Sequence, residues 1–359
     1  MAYCAITKPS LHFSAILYTG SGSAQDITVG FQPDLVWFKN RTYADHHNLV
    51  DRVRWTSNTN STHLSSNQNN AAGTKDIINS FASTGFNLET GDRGHNSSDG
   101  DSYVSWNWKA GNSAGSSNTD GTINTTATSA NTTAGFSIST YTGNATQGAT
   151  LGHGLGVKPS LIIIKSTSNA EAWVVGGNGL DASSPYDYYL HLHTQDERGQ
   201  NNNRFANVLP TTSVFSLGNE DQVNSSSKQY VAYCFADIPG YQKSGLYYGQ
   251  GNANGQFINC GFKPALVMAK RVIGGSEDWN VWDNKRIGYN VDGNDKLYWN
   301  LTSVESTGST EIDILSNGFK WRTTNAGLNG NDVHYLYYAV AEEPFVANVG
   351  TNGIPATAR

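Results

Sequence analysis

The apolar residues of this 359-residue chain fall in short runs that are separated by Gly, Asn, Ser and Pro. The runs are four to seven residues long and rich in Val, Ile, Tyr, Phe and Trp, which is typical of β-strands. Phe136-Ser137-Ile138-Ser139 alternates with a period of two, whereas Leu35 to Phe38 and Leu161 to Ile164 are continuously apolar, as in strands covered on both faces. No stretch has the 3.6-residue stripe of an amphipathic helix. The pattern predicts an all-β fold made of antiparallel β-sandwiches.

Three segments share one ordered set of landmarks, which indicates an internal repeat. Each opens with a Tyr-x-Gly turn, continues with a Pro and an apolar run that a Lys closes six residues later, and ends on an aromatic strand. From this Pro to the first Tyr of the aromatic strand the distance is 70, 71 and 71 residues. The landmarks are Tyr18-Thr19-Gly20, Pro33, Lys39 and Tyr103, then Tyr141-Thr142-Gly143, Pro159, Lys165 and Tyr230, then Tyr247-Tyr248-Gly249, Pro264, Lys270 and Tyr335. We therefore expect three tandem copies of one sandwich, each with its own hydrophobic core.

The repeat sets the expected domain boundaries. The three sandwich repeats are predicted at residues 1–110, 134–240 and 241–345. Residues 111–133 are almost wholly Ser, Thr, Asn and Gly, a composition typical of a flexible linker, although Thr122-Ile123 could form one edge strand. Residues 346–359 have no periodic pattern and are predicted to form an extended C-terminal arm.

Composition and charge narrow the possible partners. Charged residues make up 14% of the chain and the net charge is −6, without any run of Lys or Arg, so we expect neither nucleic-acid binding nor membrane insertion. Aromatic residues reach 11%, which supplies enough apolar area for a folded core. The three cysteines are scattered and form neither a disulfide framework nor a metal motif.

The sequence offers little for catalysis. Gly111-Asn112-Ser113-Ala114-Gly115 matches the nucleophile-elbow pattern, but that motif requires a strand before it and a helix after it, and here it lies in the predicted linker. No phosphate-binding loop, zinc helix or dinucleotide motif is present, and no cofactor is expected. Glutamates are scarce, so a pair of carboxylates flanking a sugar cleft is not indicated. We therefore expect a protein that is not an enzyme.

Two patterns leave a metal ion open as the less favoured alternative. Asp99-Gly100-Asp101 and Asp292-Gly293-Asn294-Asp295 are typical of turns, and a Ca²⁺ loop would need oxygen ligands from several such turns. His191-Leu192-His193 places two imidazoles on one strand face, where three chains meeting about an axis could surround one metal ion. A solvated strand face explains the histidines more simply, and we predict no metal site.

Two groups of side chains are the candidate site residues. Asp51 and Arg54 recur in register as Asp283 and Arg286, and each pair could pin a turn through charge-assisted hydrogen bonds, which indicates a structural role. Four tryptophans border polar loops, where an amphipathic ring can stack on a sugar or fill a pocket of a partner. These candidate binding residues are Trp55, Trp173, Trp279 and Trp321.

Five segments combine into one recognisable pattern: Tyr18-Thr19-Gly20, Gly30 to Arg41, Gly135-Phe136-Ser137-Ile138, Gly152 to Gly156, and Tyr230 to Phe235. The pattern resembles a repeated β-rich domain of uncharacterised function found in virion and tail fibre proteins of tailed phages, especially marine ones. The resemblance covers about residues 12 to 345, and the closing aromatic strands are loosely similar to those of concanavalin-type or SPRY-like sandwiches.

This resemblance implies a structural protein on the surface of a phage particle. The first hypothesis is a tail fibre or tail-tip component, assembled as a homotrimer with other virion proteins, that attaches to host-surface glycan. Neutral Asn, Ser, Thr and Tyr surfaces suit glycan hydroxyls, and linked weak sites gain from multivalency. The alternative is a capsid decoration or head-fibre protein that ornaments or stabilises the shell. A glycan-cleaving spike is a third and weaker hypothesis.

Overall fold

The computed structural model describes residues 5–56, 61–286 and 293–344, and the backbone of 346–349 and 352–355. Every pairing between described strands is antiparallel, apart from one isolated parallel bridge, so the predicted all-β class is confirmed. Within these residues, no helix is long and apolar enough to cross a membrane. The helices described are single turns: Pro9–Leu11, Pro185–Asp187, Asn202–Phe205, Asp221–Asn224 and Ala326–Asn329.

The first segment, residues 13–108, forms a six-stranded sheet with a three-stranded sheet beside it. In spatial order the large sheet contains β1 (Phe13–Thr19), β9 (Ser102–Trp108), β3 (Leu35–Asn40), β4 (Asn48–Asp51), β5 (Ser61–Leu64) and β6 (Gly73–Lys75). The small sheet contains β2 (Gln25–Thr28), β8 (Gly85–Leu88) and β7 (Ile78–Ala82).

The second segment, residues 127–236, forms a seven-stranded sheet and a two-stranded sheet. The large sheet contains β10 (Ala127–Asn131), β11 (Phe136–Thr142), β18 (Gln229–Ala236), β13 (Pro159–Ser166), β14 (Val174–Gly177), β15 (Tyr188–His191) and β16 (Gly199–Gln200). The small sheet contains β12 (Ala149–Gly152) and β17 (Val214–Leu217).

The third segment, residues 242–344, again pairs a six-stranded sheet with a three-stranded sheet, and a separate hairpin follows it. The large sheet contains β19 (Gln242–Tyr248), β27 (His334–Pro344), β21 (Phe262–Arg271), β22 (Asn280–Asp283), β23 (Asn294–Tyr298) and β24 (Ser306–Ser309). The small sheet contains β20 (Phe257–Asn259), β26 (Gly318–Trp321) and β25 (Ile312–Leu315), and the hairpin contains β28 (Val346–Val349) and β29 (Asn352–Pro355).

The three large sheets share one strand order once β10 is set aside. In each sheet a central strand, β9, β18 or β27, is the last long strand of its segment. On one side it pairs with the first strand, β1, β11 or β19, and on the other with the strand at the repeated Pro, β3, β13 or β21. The residues facing each other also correspond: Leu35 faces Asp51, Leu161 faces Gly177, and Leu266 faces Asp283. This common register allows positions in the three segments to be compared one by one.

The largest hydrophobic core is shared by all three segments, which differs from the expectation of three separate cores. It includes Trp37 and Trp106 of the first segment, Phe136 of the second and Tyr338 of the third. Smaller clusters lie inside the first and second segments. Alternate residues of one strand point to different clusters, because Trp37 joins the shared core while its neighbour Val36 joins the inner one. Cover on both faces therefore explains the continuous apolar runs.

Three equivalent backbone hydrogen bonds join the segments into a closed ring. Each donor is the backbone N–H of the residue just before an edge strand, β6, β16 or β24. Each acceptor is the carbonyl of the residue just after β3, β13 or β21, the strand that contains the repeated Lys. The bonds run from Ala72 to Thr167, from Arg198 to Val272, and from Glu305 to Arg41, each over 2.9 Å. The first segment donates to the second, the second donates to the third, and the third donates to the first.

A second set of equivalent bonds follows the same ring. The donors are the residues just before β4, β14 and β22. Each directs a ring N–H at a carbonyl at the end of a strand, and these bonds run in the opposite direction around the ring, from first to third, second to first and third to second. The pairs are His47 Nε2 with Tyr298 (2.9 Å), Trp173 Nε1 with Ser65 (3.0 Å) and Trp279 Nε1 with His191 (3.2 Å). These bonds give each buried ring N–H an acceptor in another segment.

The Ser/Thr/Asn/Gly-rich stretch 111–133 carries regular structure. Its strand β10 extends the sheet of the second segment, and Ile123 forms a parallel bridge with Leu151. Thr125 is buried, and its hydroxyl accepts a hydrogen bond from the Asn118 N–H at 2.7 Å. A strand, not a helix, follows Ser113, so the geometry of a nucleophile elbow is absent at that serine.

A candidate binding cleft between the first and second segments

A cleft of about 350 Å³ lies where the first and second segments meet. Strand β5 and the chain before β6 form one wall, while β11, β18 and the turn after β13 form the other. Its lining is rich in hydroxyl groups, which come from Thr56, Thr62, Thr126, Thr140 and Thr167. Such a volume is within the range of small-ligand sites in proteins.

Arg54 provides the cationic group of this cleft. Its backbone N–H donates to Asp51 Oδ1 at 2.9 Å, and its Nε donates to Asp51 Oδ2 at 2.6 Å. Its Nη2 donates to the Tyr233 hydroxyl of the second segment at 3.2 Å, and that hydroxyl donates to Asp51 Oδ2 at 2.7 Å. The Arg54 side chain is only 7% exposed, yet its Nη1 has no hydrogen-bond partner among the described residues.

The electrostatics of the pair keep Arg54 charged. Burial works against the charged form, but the adjacent Asp51 carboxylate outweighs it and raises the pKa of the Arg54 guanidinium. The described residues that line the cleft include no histidine, cysteine or carboxylate. The cleft can therefore donate hydrogen bonds to a ligand, but its lining has no acid–base pair.

The matching pair in the third segment is more fully enclosed. Arg286 donates through Nε to Asp283 Oδ2 at 2.8 Å, and Trp106 of the first segment donates to the same carboxylate oxygen at 2.9 Å. Although burial opposes ionisation, Arg286 and Trp106 lower the pKa of Asp283. Both predicted Asp–Arg pairs thus form inside one turn, and each also bonds to a neighbouring segment. The second segment has Gly177 at the aspartate position, as the shared register shows.

A comparable cleft, of about 360 Å³, lies between the first and third segments. Three ionised side chains line it: Arg41 of the first segment, and Asp295 and Glu305 of the third. Arg41 Nε bonds to both carboxylate oxygens of Glu305, at 2.7 and 2.9 Å. Arg286 Nη1 lies 3.7 Å from the same carboxylate, which is an ion-pair distance, and this nitrogen makes no hydrogen bond among the described residues.

At the boundary between the second and third segments, an arginine side chain takes the corresponding place. The Arg198 guanidinium lies 3.8 Å from the centre of the Tyr188 ring. It pairs with Asp181 at 2.8 Å and also donates to the Leu180 carbonyl.

The structure places three of the four candidate tryptophans in the interior, which corrects the expectation that they contact a ligand. Trp173 and Trp279 hold the ring of segments together as described above, and both are fully buried. Trp321 is also fully buried, with its ring centre 5.5 Å from that of Trp282 and 5.4 Å from that of Phe319. None of these three rings offers a face to an external sugar. Polar loop residues beside a tryptophan do not reveal that another segment covers it.

Trp55 is the exception, because its ring is only partly buried. Its Nε1 donates to the Ile78 carbonyl at 3.1 Å, and its ring packs edge to face on Phe81 at 5.5 Å. Trp55 lies between Arg54 and Thr56, which both line the cleft. Ligand contact by Trp55 remains a prediction.

The two histidines of the His191-Leu192-His193 motif lie side by side, with ring centres 5.7 Å apart and Leu192 buried between them in sequence. His191 Nε2 lies 3.2 Å from the side-chain oxygen of Gln222. Burial lowers the pKa of His193 to about 4. Leu190 is also buried, so the strand has the predicted inward leucine face.

The aspartate turns are occupied by protein partners. Asp99 pairs with Arg93, and Asp101 accepts a hydrogen bond from the Asn40 side chain at 3.0 Å. Asp292, of the other aspartate turn, lies outside the described residues. Among the residues that are described, no group of three His, Cys, Asp or Glu side chains could hold a metal ion.

The repeated lysines are buried groups whose role the sequence did not reveal. Burial lowers the pKa of Lys39 and Lys270 to about 8, and that of Lys165 to about 7. Lys39 donates to the Thr302 carbonyl of the third segment, and Lys270 to the Gln195 carbonyl of the second, each at 3.1 Å. The constant spacing from Pro to Lys was the available signal, because a lysine that recurs at the end of an apolar run occupies the same internal position each time.

The comparison with known proteins assigns a family and no activity. No curated protein and no solved structure matches the chain. One family model matches residues 8–344, so a single family unit spans all three segments. The chain therefore belongs to the family described as Domain of unknown function (DUF7483).

Proposed function

We propose that this protein is a non-enzymatic virion component of a tailed phage, in the tail fibre or tail tip, that attaches the particle to host-surface glycan. The observation that carries the proposal is the cleft between the first and second segments. Its threonine hydroxyls, together with Gln229 at its edge, can exchange hydrogen bonds with sugar hydroxyls. The lack of an acid–base pair in its described lining favours holding a sugar over cleaving one.

The proposal includes a finer description of the architecture. We infer that the three segments are copies of one sandwich repeat, arranged about a pseudo-threefold axis within a single chain. The common strand order and the three equivalent bonds through Thr167, Val272 and Arg41 support this arrangement. A ring of this kind would hold the cleft walls rigid, which lowers the entropic cost of binding a flexible glycan.

Multivalency would provide the overall strength of attachment. The predicted homotrimer would present three copies of the cleft at the end of one fibre. Linked weak sites raise the effective concentration of each site without new contacts, so modest affinity at one cleft is sufficient.

The test is competition for adsorption. Purified chain, added to host cells before the phage, is expected to block adsorption in proportion to its concentration. Binding to emptied capsids instead of cells would favour capsid decoration, and release of reducing sugars from host polysaccharide would contradict the non-enzymatic assignment.

A matched pair of variants connects adsorption to the cleft. Thr126 and Thr212 are both exposed threonines, but only Thr126 lines the cleft. Thr126→Trp is expected to remove the blocking activity and Thr212→Trp to retain it. Equal blocking by both variants would place attachment elsewhere on the chain.

A further inference from the structure

At each boundary between segments, equivalent residues of the two segments are joined by the same backbone hydrogen bond. Ala72, Arg198 and Glu305 each precede the last strand of their large sheet and donate the N–H bonds of the ring. The register agrees, since His63 faces Gly73 just as Lys296 faces Ser306.

In the second and third segments, the side chain of this residue, Arg198 or Glu305, approaches the counterpart of Arg54. Glu305 lies 3.7 Å from Arg286, while Arg198 donates to the carbonyl of Leu180. Arg286 and Leu180 are the counterparts of Arg54, because each comes three residues after the position of Asp51. Two boundaries therefore fill this space with a polar side chain of the protein itself.

At the boundary between the first and second segments, no described side chain takes the place that Glu305 has beside Arg286. Ala72 has no polar side chain, and Thr167 stands where the third boundary has Arg41. Arg54 Nη1 and Arg286 Nη1 are both buried without a hydrogen-bond partner among the described residues, but only Arg286 has a second carboxylate, Glu305, within 4 Å of that nitrogen. Leaving a buried charged donor without an acceptor is unfavourable, so an acceptor at this point would be bound favourably.

We propose that this cleft binds a carboxylate group of a hydroxylated ligand, which occupies the place that Glu305 occupies at the neighbouring boundary. The protein already contains this arrangement, because the Asp283–Arg286 pair coexists with the Glu305 carboxylate. At that boundary Arg41 also bonds to the Glu305 carboxylate, and Thr167 takes the place of Arg41 in the first–second cleft. The threonine hydroxyls and Gln229 would bind the hydroxyls of the same ligand.

The ligand chemistry is that of a sugar acid or a small hydroxy acid. The first would come from an acidic polysaccharide of the host surface, and this choice rests on the proposed function. The second would be a free metabolite-sized acid, and it does not depend on attachment.

The test is isothermal titration calorimetry of the full chain with glucuronate, tartrate and glucose as probes. Glucuronate is expected to bind about tenfold or more tightly than glucose, because a charge-assisted hydrogen bond is stronger than a neutral one. Tighter binding of tartrate than of glucuronate would assign the site to free hydroxy acids. Equal binding of all three probes, or no binding of either acid, would overturn the proposal.

Two variants make the assignment specific to the cleft. Ala72→Glu supplies the internal carboxylate of the third segment and is expected to abolish glucuronate binding while the chain stays folded. Thr62→Asp introduces the charge that Asp295 has at the other cleft, and we expect at least tenfold weaker binding of glucuronate. Thr307→Asp adds the same charge at the first–third cleft and should leave the affinity unchanged. Wild-type affinity in both cleft variants would refute the site.

The outcomes also separate this proposal from the proposed function. A chain that blocks phage adsorption without binding either acid would retain the attachment function and lose the carboxylate site. A chain that binds glucuronate without blocking adsorption would retain the site and lose the attachment function.

Discussion

The first–third and first–second boundaries have equivalent backbone hydrogen bonds but different side chains. Charged residues of both signs line the first–third cleft, whereas threonines predominate in the first–second cleft. At the first–third boundary, Glu305 bonds to Arg41 and faces Arg286, so acceptor and donors are enclosed together. At the first–second boundary, Ala72 and Arg54 line a cleft without a carboxylate, whereas Nη1 of both Arg54 and Arg286 lacks a hydrogen-bond partner among the described residues. Boundaries with equivalent backbone hydrogen bonds therefore differ in the side chains that line them.

Removing the carboxylate should break this contrast most strongly. Glu305→Ala gives the third segment the residue that Ala72 provides in the first. It leaves Arg41 without its bidentate partner and Arg286 facing an empty space, so we expect a loss of about 3 kcal/mol in the free energy of unfolding. Urea denaturation measures the change.

Glu343→Ala is the control for Glu305→Ala, because Glu343 is exposed on β27. It should change the free energy of unfolding by less than about 0.5 kcal/mol. Equal losses in the two variants would show that the buried carboxylate has no special role at its boundary.

Lowering the pH should reduce the free energy of unfolding through His63, which lies at the first–second boundary. At the first–third boundary its counterpart is Lys296, which is paired with Glu311. Burial first, and then Lys75 and Arg54, lower the pKa of His63 to about 4, as burial does for His193. Because the unfolded chain protonates near pH 6.5 and the folded chain does not, the stability present above pH 6.5 falls as the pH approaches 4. Between pH 6.5 and 5 we expect about 1 kcal/mol of loss for each histidine.

The histidine prediction is checked by urea denaturation across that pH range. His63→Gln should reduce the slope of stability against pH, whereas the native slope should persist in His46→Gln, since His46 is exposed. An unchanged slope in the His63 variant would contradict the assignment.

Loss of one ring donor should weaken the closed ring of segments. Trp173→Phe removes the indole N–H that binds the Ser65 and Gln68 carbonyls at 3.0 and 2.9 Å. The Gln68 carbonyl then loses the indole donor, while the Ser65 carbonyl keeps only the Gln68 backbone N–H at 3.2 Å, and we expect about 1.5 kcal/mol of destabilisation. Trp55→Phe, at a partly exposed ring with one such bond, is the matched control and should cost less. A larger effect at Trp55 would contradict the ring.

The smallest expected effect is a gain. Ala72→Glu places beside Arg54 a carboxylate like the one that Glu305 holds 3.7 Å from Arg286, and it should raise the free energy of unfolding by about 1 kcal/mol. Thermal unfolding without ligand measures it, and Ala72→Gln, which lacks the charge, should give a smaller gain. Destabilisation by Ala72→Glu would show that the two boundaries are not equivalent.

Local patterns predicted the local structure well. The period-two and continuous apolar runs gave strands such as β3 and β13, because strand burial is determined by residues one or two positions apart. The Asp51–Arg54 and Asp283–Arg286 pairs were also predictable, since both partners lie in one turn. Recurrence in the sequence placed these pairs correctly in a common register.

What the sequence left open depends on contacts between segments. The apolar faces that meet in the shared core look the same in sequence as faces that pack on their own small sheet, so separate cores were expected. Trp173 and Trp279 lie beside polar residues, and the carbonyls of Ser65 and His191 that accept their indole N–H groups are 108 and 88 residues away in sequence. The cleft was hidden for the same reason, because Arg54 and Thr140 become neighbours only when two segments meet.

An experimental structure of the chain with bound glucuronate tests the central claim most directly. The account predicts the sugar in the cleft between the first and second segments, with a carboxylate oxygen within hydrogen-bond distance of Arg54 Nη1 and its hydroxyls on the threonine wall. Glucuronate bound elsewhere, or bound in the cleft with its carboxylate turned away from Arg54, would contradict it.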